Sequence, residues 1–189
     1  MKAAVQYKDG IRIEERPDPA LEPGGVIIRV RACGICGSDL HPRASWDLEN
    51  GMILGHEFSG DVVEVGASVT GIEPGDRMTA LGYKNCGACY WCQQGMPHRC
   101  TKRKFVGYAF PGGFAEYVSI PVAILGATVF RIPDHVSYGE GAAVEPFSIA
   151  VHAVRMAAPA PPETVLVLGA GMIGQCVAQV CKATGTSRV

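Results

Sequence analysis

Cys86, Cys89, Cys92 and Cys100 follow the pattern C-x2-C-x2-C-x7-C, and no other feature restricts the folding of this chain as tightly. Thiolates recurring at such short intervals can wrap one tetrahedral ion, and sulfur donors in that geometry select zinc. Gly87, Ala88, Gly95 and Pro97, which lie between them, suit the tight turns that wrapping requires. Two disulfides are the alternative, but neighbours this close pair poorly and the rest of the chain reads as intracellular. A closed four-thiolate shell leaves no position for a reactant. The expected zinc is therefore structural: it anchors a loop and does no chemistry.

Composition narrows the classes. Apolar residues make up 48% of the 189 and charged residues 19%, enough to build a core, and the formal net charge is −1. Lys102-Arg103-Lys104 is the longest basic cluster and reads as a solvated loop, so no nucleic-acid partner is expected. No run approaches the roughly 18 apolar residues of a membrane span. Met1 to Tyr7 reads as a short strand and lacks the apolar stretch of a signal peptide. A cytoplasmic protein with no membrane association is expected, and there clustered thiols bind metal more readily than they oxidise.

The first 130 or so residues read as short strands separated by glycine and proline. Ile11 and Ile13, Val26 to Val30, Val62 to Val65 and Phe114 to Val118 alternate in the manner of a small β-barrel or sandwich. Near residue 137 the character changes. Ser137-Tyr138-Gly139-Glu140 fits a helix-opening capping box. Pro146 is expected to break or restart that helix, and a second helical run covers 147–158. Ala157 to Pro162 reads as a linker, and Thr164 to Leu168 as a buried parallel strand.

Gly169-Ala170-Gly171-Met172-Ile173-Gly174 then matches G-x-G-x-x-G in its required context, after a strand and at the start of a helix. The first glycine permits a tight turn, the second lets backbone approach a pyrophosphate, and the third lets helix and strand pack closely. Free amides at the helix start favour phosphates. Gly169, Gly171, Met172, Ile173 and Gly174 are therefore the candidate cofactor-binding residues, for NAD or NADP. Ile173, Cys176, Val177, Val180 and Cys181 form the stripe expected to pack on a sheet. The acidic residue that binds the ribose hydroxyl, about 20 residues further on, does not follow before Val189. The chain reads as a fragment of a longer protein.

A second set of donors is dispersed. Cys36 lies in Gly34-Ile35-Cys36-Gly37-Ser38-Asp39-Leu40-His41, and His56-Glu57 follows Gly55. A catalytic zinc takes about three protein ligands of mixed type and keeps a position open, which one cysteine, one histidine and one carboxylate satisfy. Taken singly, the cysteine reads more readily as a core residue, and the His-Glu pair as surface or a hydrogen-bonded core pair, than as ligands.

Together these segments resemble the zinc-dependent medium-chain dehydrogenases. Gly34 to His41, Gly55 to Gly60, Gly75 to Arg77, the four-cysteine loop and Gly169 to Gly174 occur in the family's order along essentially the whole chain. Glu145-Pro146 resembles the Glu-Pro of the polyol (sorbitol/iditol), threonine and butanediol dehydrogenase branch. The resemblance implies a mixed fold: a GroES-like β-barrel catalytic domain of α+β type over residues 1–155. The first βα unit of a doubly wound Rossmann domain, cut short, would follow over 156–189.

It also implies two zinc ions per chain, with Cys36, His56, Glu57 and Glu145 around the catalytic one. Glu57 and Glu145 can exchange roles there. Ser38 would accept the proton of an alcohol substrate and His41 would pass it towards solvent, while NAD or NADP takes the hydride. The implied substrate is a small secondary alcohol: a polyol, diol or hydroxy-amino acid. The implied full-length form is a homodimer or homotetramer, and the 189-residue piece alone is expected to be inactive. A zinc-loop binding module without catalysis, and a zinc-free reductase of the same superfamily, are the rival readings. Neither has a use for Cys36 and His56. Cys33, Cys176 and Cys181 read as small core residues, His98 and His135 as solvent-facing, His152 as a packed helix residue, and Trp46 as either a lining of the substrate entrance or a partly exposed anchor.

Overall fold

The computed structural model describes residues 1–41, 48, 50–158, 163–186 and 188–189. Trp46 lies outside the described residues. The chain divides into two compact units, Met1–Ala142 and Ala143–Val189.

In the first unit, β1 (Lys2–Tyr7) and β2 (Gly10–Glu15) form an antiparallel hairpin, and β1 also pairs with β4 (Met52–Ile53). A five-stranded sheet carries β3 (Val26–Gly34), β5 (Glu57–Val65), β6 (Arg77–Ala80), β9 (Tyr117–Ile120) and β10 (Val129–Arg131) in the order β10-β6-β5-β3-β9. The segment before β9 joins the two sheets: Ala4 N donates to Phe114 O, Glu116 N to Lys2 O, and Val30 N to Glu116 O. Alternation along the strands then dictates the core. Val26, Ile28, Phe58, Val62, Met78, Val118, Ile120 and Val129 meet inside it, each essentially without solvent exposure. Ile11 and Ile13 belong to β2 as their spacing predicts, but both are exposed.

A small appendage leaves the sheets after β6. It comprises β7 (Tyr83–Lys84), the single-turn α1 (Tyr90–Gln93) and β8 (Lys104–Phe105), which pairs with β7. None of residues 83–105 is buried, so something other than burial must hold its turns together.

Helix α2 (Tyr138–Ala157) opens as its sequence predicts. Ser137 Oγ donates to the Glu140 carboxylate at 2.7 Å, and the same carboxylate accepts from the Ser137 amide at 2.7 Å. Two expectations fail here and beyond. The helix runs unbroken through Pro146, although that ring lacks the amide to bond the carbonyl four residues back. The turns on either side sustain it, with Ala150 and Val154 buried. Thr164 to Leu168 is not a buried strand: Leu166 and Leu168 are 82% and 88% exposed. A parallel strand is covered by its neighbours, and here one bridge, Thr164 to Arg188, is the only pairing among the described residues.

Helix α3 (Met172–Ala183) buries Cys176, Val180 and Cys181 against Ala150 and Val154. Cys176 and Cys181 are thus core residues, as read, while Ile173 at the head of the predicted stripe is exposed. His98 and His135 face solvent as expected; His152 is exposed too, and is not packed. Among the described residues no helix is long and apolar enough to cross a membrane.

Candidate metal centres and nucleotide turn

The four loop cysteines converge. Their sulfur atoms all lie within 4.8 Å of one another, with Cys89 and Cys92 3.5 Å apart and Cys86 and Cys100 3.6 Å apart. A disulfide needs about 2.0 Å, and all four are free thiols. Zinc–sulfur bonds of about 2.3 Å give a tetrahedron whose edges are about 3.8 Å. The spacing therefore fits one tetrahedral ion and no disulfide. Amides of the loop tune the donors. The amide of Cys92, with that of Thr101, draws the Cys89 thiol down to about 6, and the amide of Cys86 lowers Cys100. Burial and the neighbouring sulfurs push Cys92 up. Arg103 braces the loop by donating to Asn85 Oδ1 at 3.0 Å and stacking over Tyr83.

The dispersed donors also converge, through strand pairing. Gly34, the last residue of β3, sits opposite Glu57, the first of β5. Antiparallel pairing thus brings Cys36, two residues past β3, to His56, one residue before β5. The donor atoms of Cys36, His56 and Glu57 lie within 4.8 Å of one another. Two glycines make the space. A Cβ on Gly34 would collide with the Glu57 carboxylate, and one on Gly55, which has φ +90°, would press on Phe114 and Cys33 Sγ at 2.8 and 2.9 Å.

Sequence reading passed over two side chains that complete this centre. Asp39 is buried in the one-turn 3-10 helix Gly37–Leu40, where its carboxylate accepts from the Cys36 amide at 2.9 Å. Its other oxygen lies 3.6 Å from His56 Nδ1 and has no hydrogen-bond partner. A buried, incompletely satisfied carboxylate calls for a nearby positive charge. Burial alone would lower the His56 pKa, but the Asp39 carboxylate and then the Cys36 sulfur raise it to about 9. Tyr108 is the second: its hydroxyl shares a 2.6 Å hydrogen bond with Ser38 Oγ and lies 3.3 Å from His56 Nδ1. Asp39 was visible in the motif that holds Cys36 and Ser38. Tyr108, 70 residues from Ser38, left no local signal.

Ser38 is half-buried beside the centre, and His41 is exposed at the end of the 3-10 turn. Cys33 packs against the main core, and burial pushes its thiol up to about 12. Glu145 stands on α2 in the second unit, so the trio of donors is assembled by the first unit alone.

In that second unit the glycine turn has the geometry its sequence requires. Gly169 has φ +105°, Gly171 is the N-cap of α3, and a Cβ on Gly174 would collide with the Gly169 carbonyl. Met172 and Ile173, in the first turn of α3, are exposed.

A fold of paired small sheets with a four-thiolate appendage and a mixed sulfur, nitrogen and oxygen centre defines a zinc-dependent dehydrogenase scaffold. The profile of the alcohol dehydrogenase GroES-like domain family matches residues 22–134, and the chain belongs to that family, within the medium-chain dehydrogenase superfamily. It is 41% identical to L-threonine 3-dehydrogenase of Streptomyces avermitilis, an alignment covering 100% of this chain and 56% of that protein. Among solved structures it is similar to galactitol-1-phosphate dehydrogenase from Escherichia coli, at 33% identity and TM-score 0.87, over 98% of this chain and 54% of that one. It is also similar to 2R,3R-butanediol dehydrogenase from Bacillus subtilis, at 37% identity and TM-score 0.82, over 98% and 55%. The chain thus spans a little over half the length of these relatives.

Proposed function

We propose that this chain is the metal-binding part of a zinc-dependent NAD(P) dehydrogenase that oxidises a small secondary alcohol. The convergence of Cys36, His56 and Glu57 carries this reading: three donors of mixed type fit a zinc that keeps an open position. Relatives named for threonine, galactitol 1-phosphate and 2,3-butanediol support a polyol, diol or hydroxy-amino acid as substrate. Residues 1–155 are assigned to the catalytic domain and 156–189 to the start of the nucleotide domain. We assign the protein to the cytoplasm and its full assembly to a homodimer or homotetramer.

Cys36 and His56 hold the catalytic ion, with Glu57 and Glu145 assigned to the same shell, and Cys86, Cys89, Cys92 and Cys100 hold a structural one. Zinc at the first site would polarise the alcohol oxygen as a Lewis acid and make its proton easier to remove. NAD or NADP held at Gly169, Gly171, Met172, Ile173 and Gly174 would accept the hydride. Ser38, fixed by its 2.6 Å bond to Tyr108, takes the alcohol proton, and the exposed His41 passes it to solvent. Asp39 fixes the His56 ring by facing its Nδ1, which leaves Nε2 for the metal. Leu166 and Leu168, uncovered beside the glycine turn, support the expectation that the 189-residue chain alone does not turn over.

Zinc per chain, measured with and without Cys36→Ser, tests the reading. About two ions falling to one supports it; one ion, unaffected by the substitution, leaves only the structural loop and overturns it.

A further inference from the structure

The proton-accepting serine and the metal-binding histidine share a partner that neither motif contains. Tyr108 reaches the centre because residues 105–114 are fastened to 53–55. Gly112 N donates to Ile53 O, Gly113 N to Gly55 O and Phe114 N to Leu54 O, at 2.8 to 3.0 Å. Above those bonds the chain turns tightly: Gly107 N donates to Phe110 O at 2.8 Å and Ala109 N to Phe105 O at 2.8 Å. Gly107 adopts φ +86° and presses on the Gly55 backbone, where a Cβ would come within 3.1 Å of the carbonyl oxygen. Gly55 immediately precedes His56. The two left-handed glycines, back to back, thereby set the ring of the residue after Gly107 against the ring of the residue after Gly55, with centroids 5.2 Å apart. Phe105 closes the outer edge of the tyrosine at 6.4 Å.

The phenol is held by backbone geometry; with Nε2 left to the metal, His56 Nδ1–H points at the phenol oxygen, and the phenol proton can go to Ser38 Oγ. It also lines a cavity of about 510 Å³ together with Arg16, Met52, Ile53 and Phe110. None of the three metal donors lines that cavity.

We infer that Tyr108 is a positioning residue for the Cys36–His56–Glu57 centre, coupling the orientation of Ser38 to that of the His56 imidazole through one hydroxyl. This inference rests on the metal reading given above. Loss of the hydroxyl removes the nearer of the two groups facing Nδ1 and leaves Asp39 at 3.6 Å, so the imidazole is less tightly oriented and metal affinity falls. Loss of the Ser38 hydroxyl removes a partner that orients the phenol towards His56, so affinity changes only while the phenol is present.

The test is zinc affinity of the full 189-residue chain, by competition with a chromophoric chelator, for the unsubstituted protein, Tyr108→Phe, Ser38→Ala and the double substitution. Cys36→Ser identifies which binding step belongs to this centre. Tyr108→Phe is expected to weaken the Cys36-dependent step about 10-fold, the low end for partners that orient a metal-binding histidine, and to leave the four-cysteine step unchanged. Ser38→Ala is expected to shift the Cys36-dependent step in the unsubstituted background and to have no further effect in the Tyr108→Phe background. An unchanged Cys36-dependent step in Tyr108→Phe, equal weakening of both steps, or simple additivity in the double substitution overturns the inference while the metal reading stands. Absence of any Cys36-dependent step in the unsubstituted chain overturns both.

Discussion

The two candidate metal centres are built in opposite ways. The four-cysteine loop gathers its donors from 15 consecutive residues, Cys86 to Cys100, with little core beneath it, and its shape is set by turns and by sulfur. The Cys36–His56–Glu57 centre takes its donors from the ends of two strands, and its supporting Tyr108 from a third segment. The first is a local device whose donors would organise the chain around an ion. The second is a product of the fold, and it exists only if β3 and β5 pair in the correct register. A local centre depends on its ligands and a dispersed one on its scaffold.

Four substitutions can break or sharpen that contrast. The largest effect is expected from Cys89→Ser, which should remove the loop zinc. For small sites of this kind binding carries on the order of 10 kcal/mol of folding free energy. Zinc per chain should fall by one, with proteolysis confined to the loop and the Cys36-dependent ion retained. Loss of both ions would show that the dispersed centre leans on the local one.

Phe58→Ala comes next. Phe58 follows Glu57 and is fully buried, so its truncation should cost about 3–5 kcal/mol in urea unfolding. The Cys36-dependent metal should weaken with it and the loop metal should not. Equal weakening of the two would erase the distinction.

Gly34→Ala acts within the dispersed centre. Its methyl group would displace the Glu57 carboxylate, and zinc affinity there should drop on the order of 10- to 100-fold, with urea midpoints changing far less than for Phe58→Ala. A normal affinity would mean that Glu57 is not a ligand.

The smallest effect lies away from both centres. Burial opposes ionisation of Asp76, but the Glu73 amide and the Arg131 guanidinium, 2.9 Å away, hold its carboxyl below the ordinary range. A lowered folded-state pKa contributes stability that is present above about pH 4 and lost as pH falls through the folded value. Asp76→Asn should therefore flatten the acid side of the stability profile. The loss near neutral pH should be about 0.2–1 kcal/mol, as expected for a partly exposed pair. Both zinc contents should be unchanged, and a change in either would tie this corner of the sheet to the metals.

The same contrast explains what could be read from the sequence. The loop cysteines, the glycine turn and the Ser137–Glu140 cap were legible because each is a spacing rule satisfied within one or two turns of chain. The strands were legible from alternation, although alternation did not reveal that Ile11 and Ile13 are exposed. Cys36 and His56 needed a family resemblance to be joined, since nothing local relates two residues 20 apart. Tyr108 was not legible at all: its position depends on the Gly55–Gly107 contact, and a tyrosine between a glycine and an alanine looks like any loop residue. Pro146 and the Thr164–Leu168 run were misread for a related reason. Local preference suggested a helix break and a buried strand, while packing around Ala150 and Val154 sustained the helix and the scarcity of pairing partners left the apolar run uncovered.

Gly34 has a further consequence, in the genetics of this chain. Every single-base missense change in a glycine codon installs at least a methyl group, and here that group arrives where a carboxylate already sits. An inventory of ligands would rank Gly34 as silent, yet any missense allele there must push aside the end of the Glu57 side chain, so such alleles should alter the metal centre while sparing the sheet.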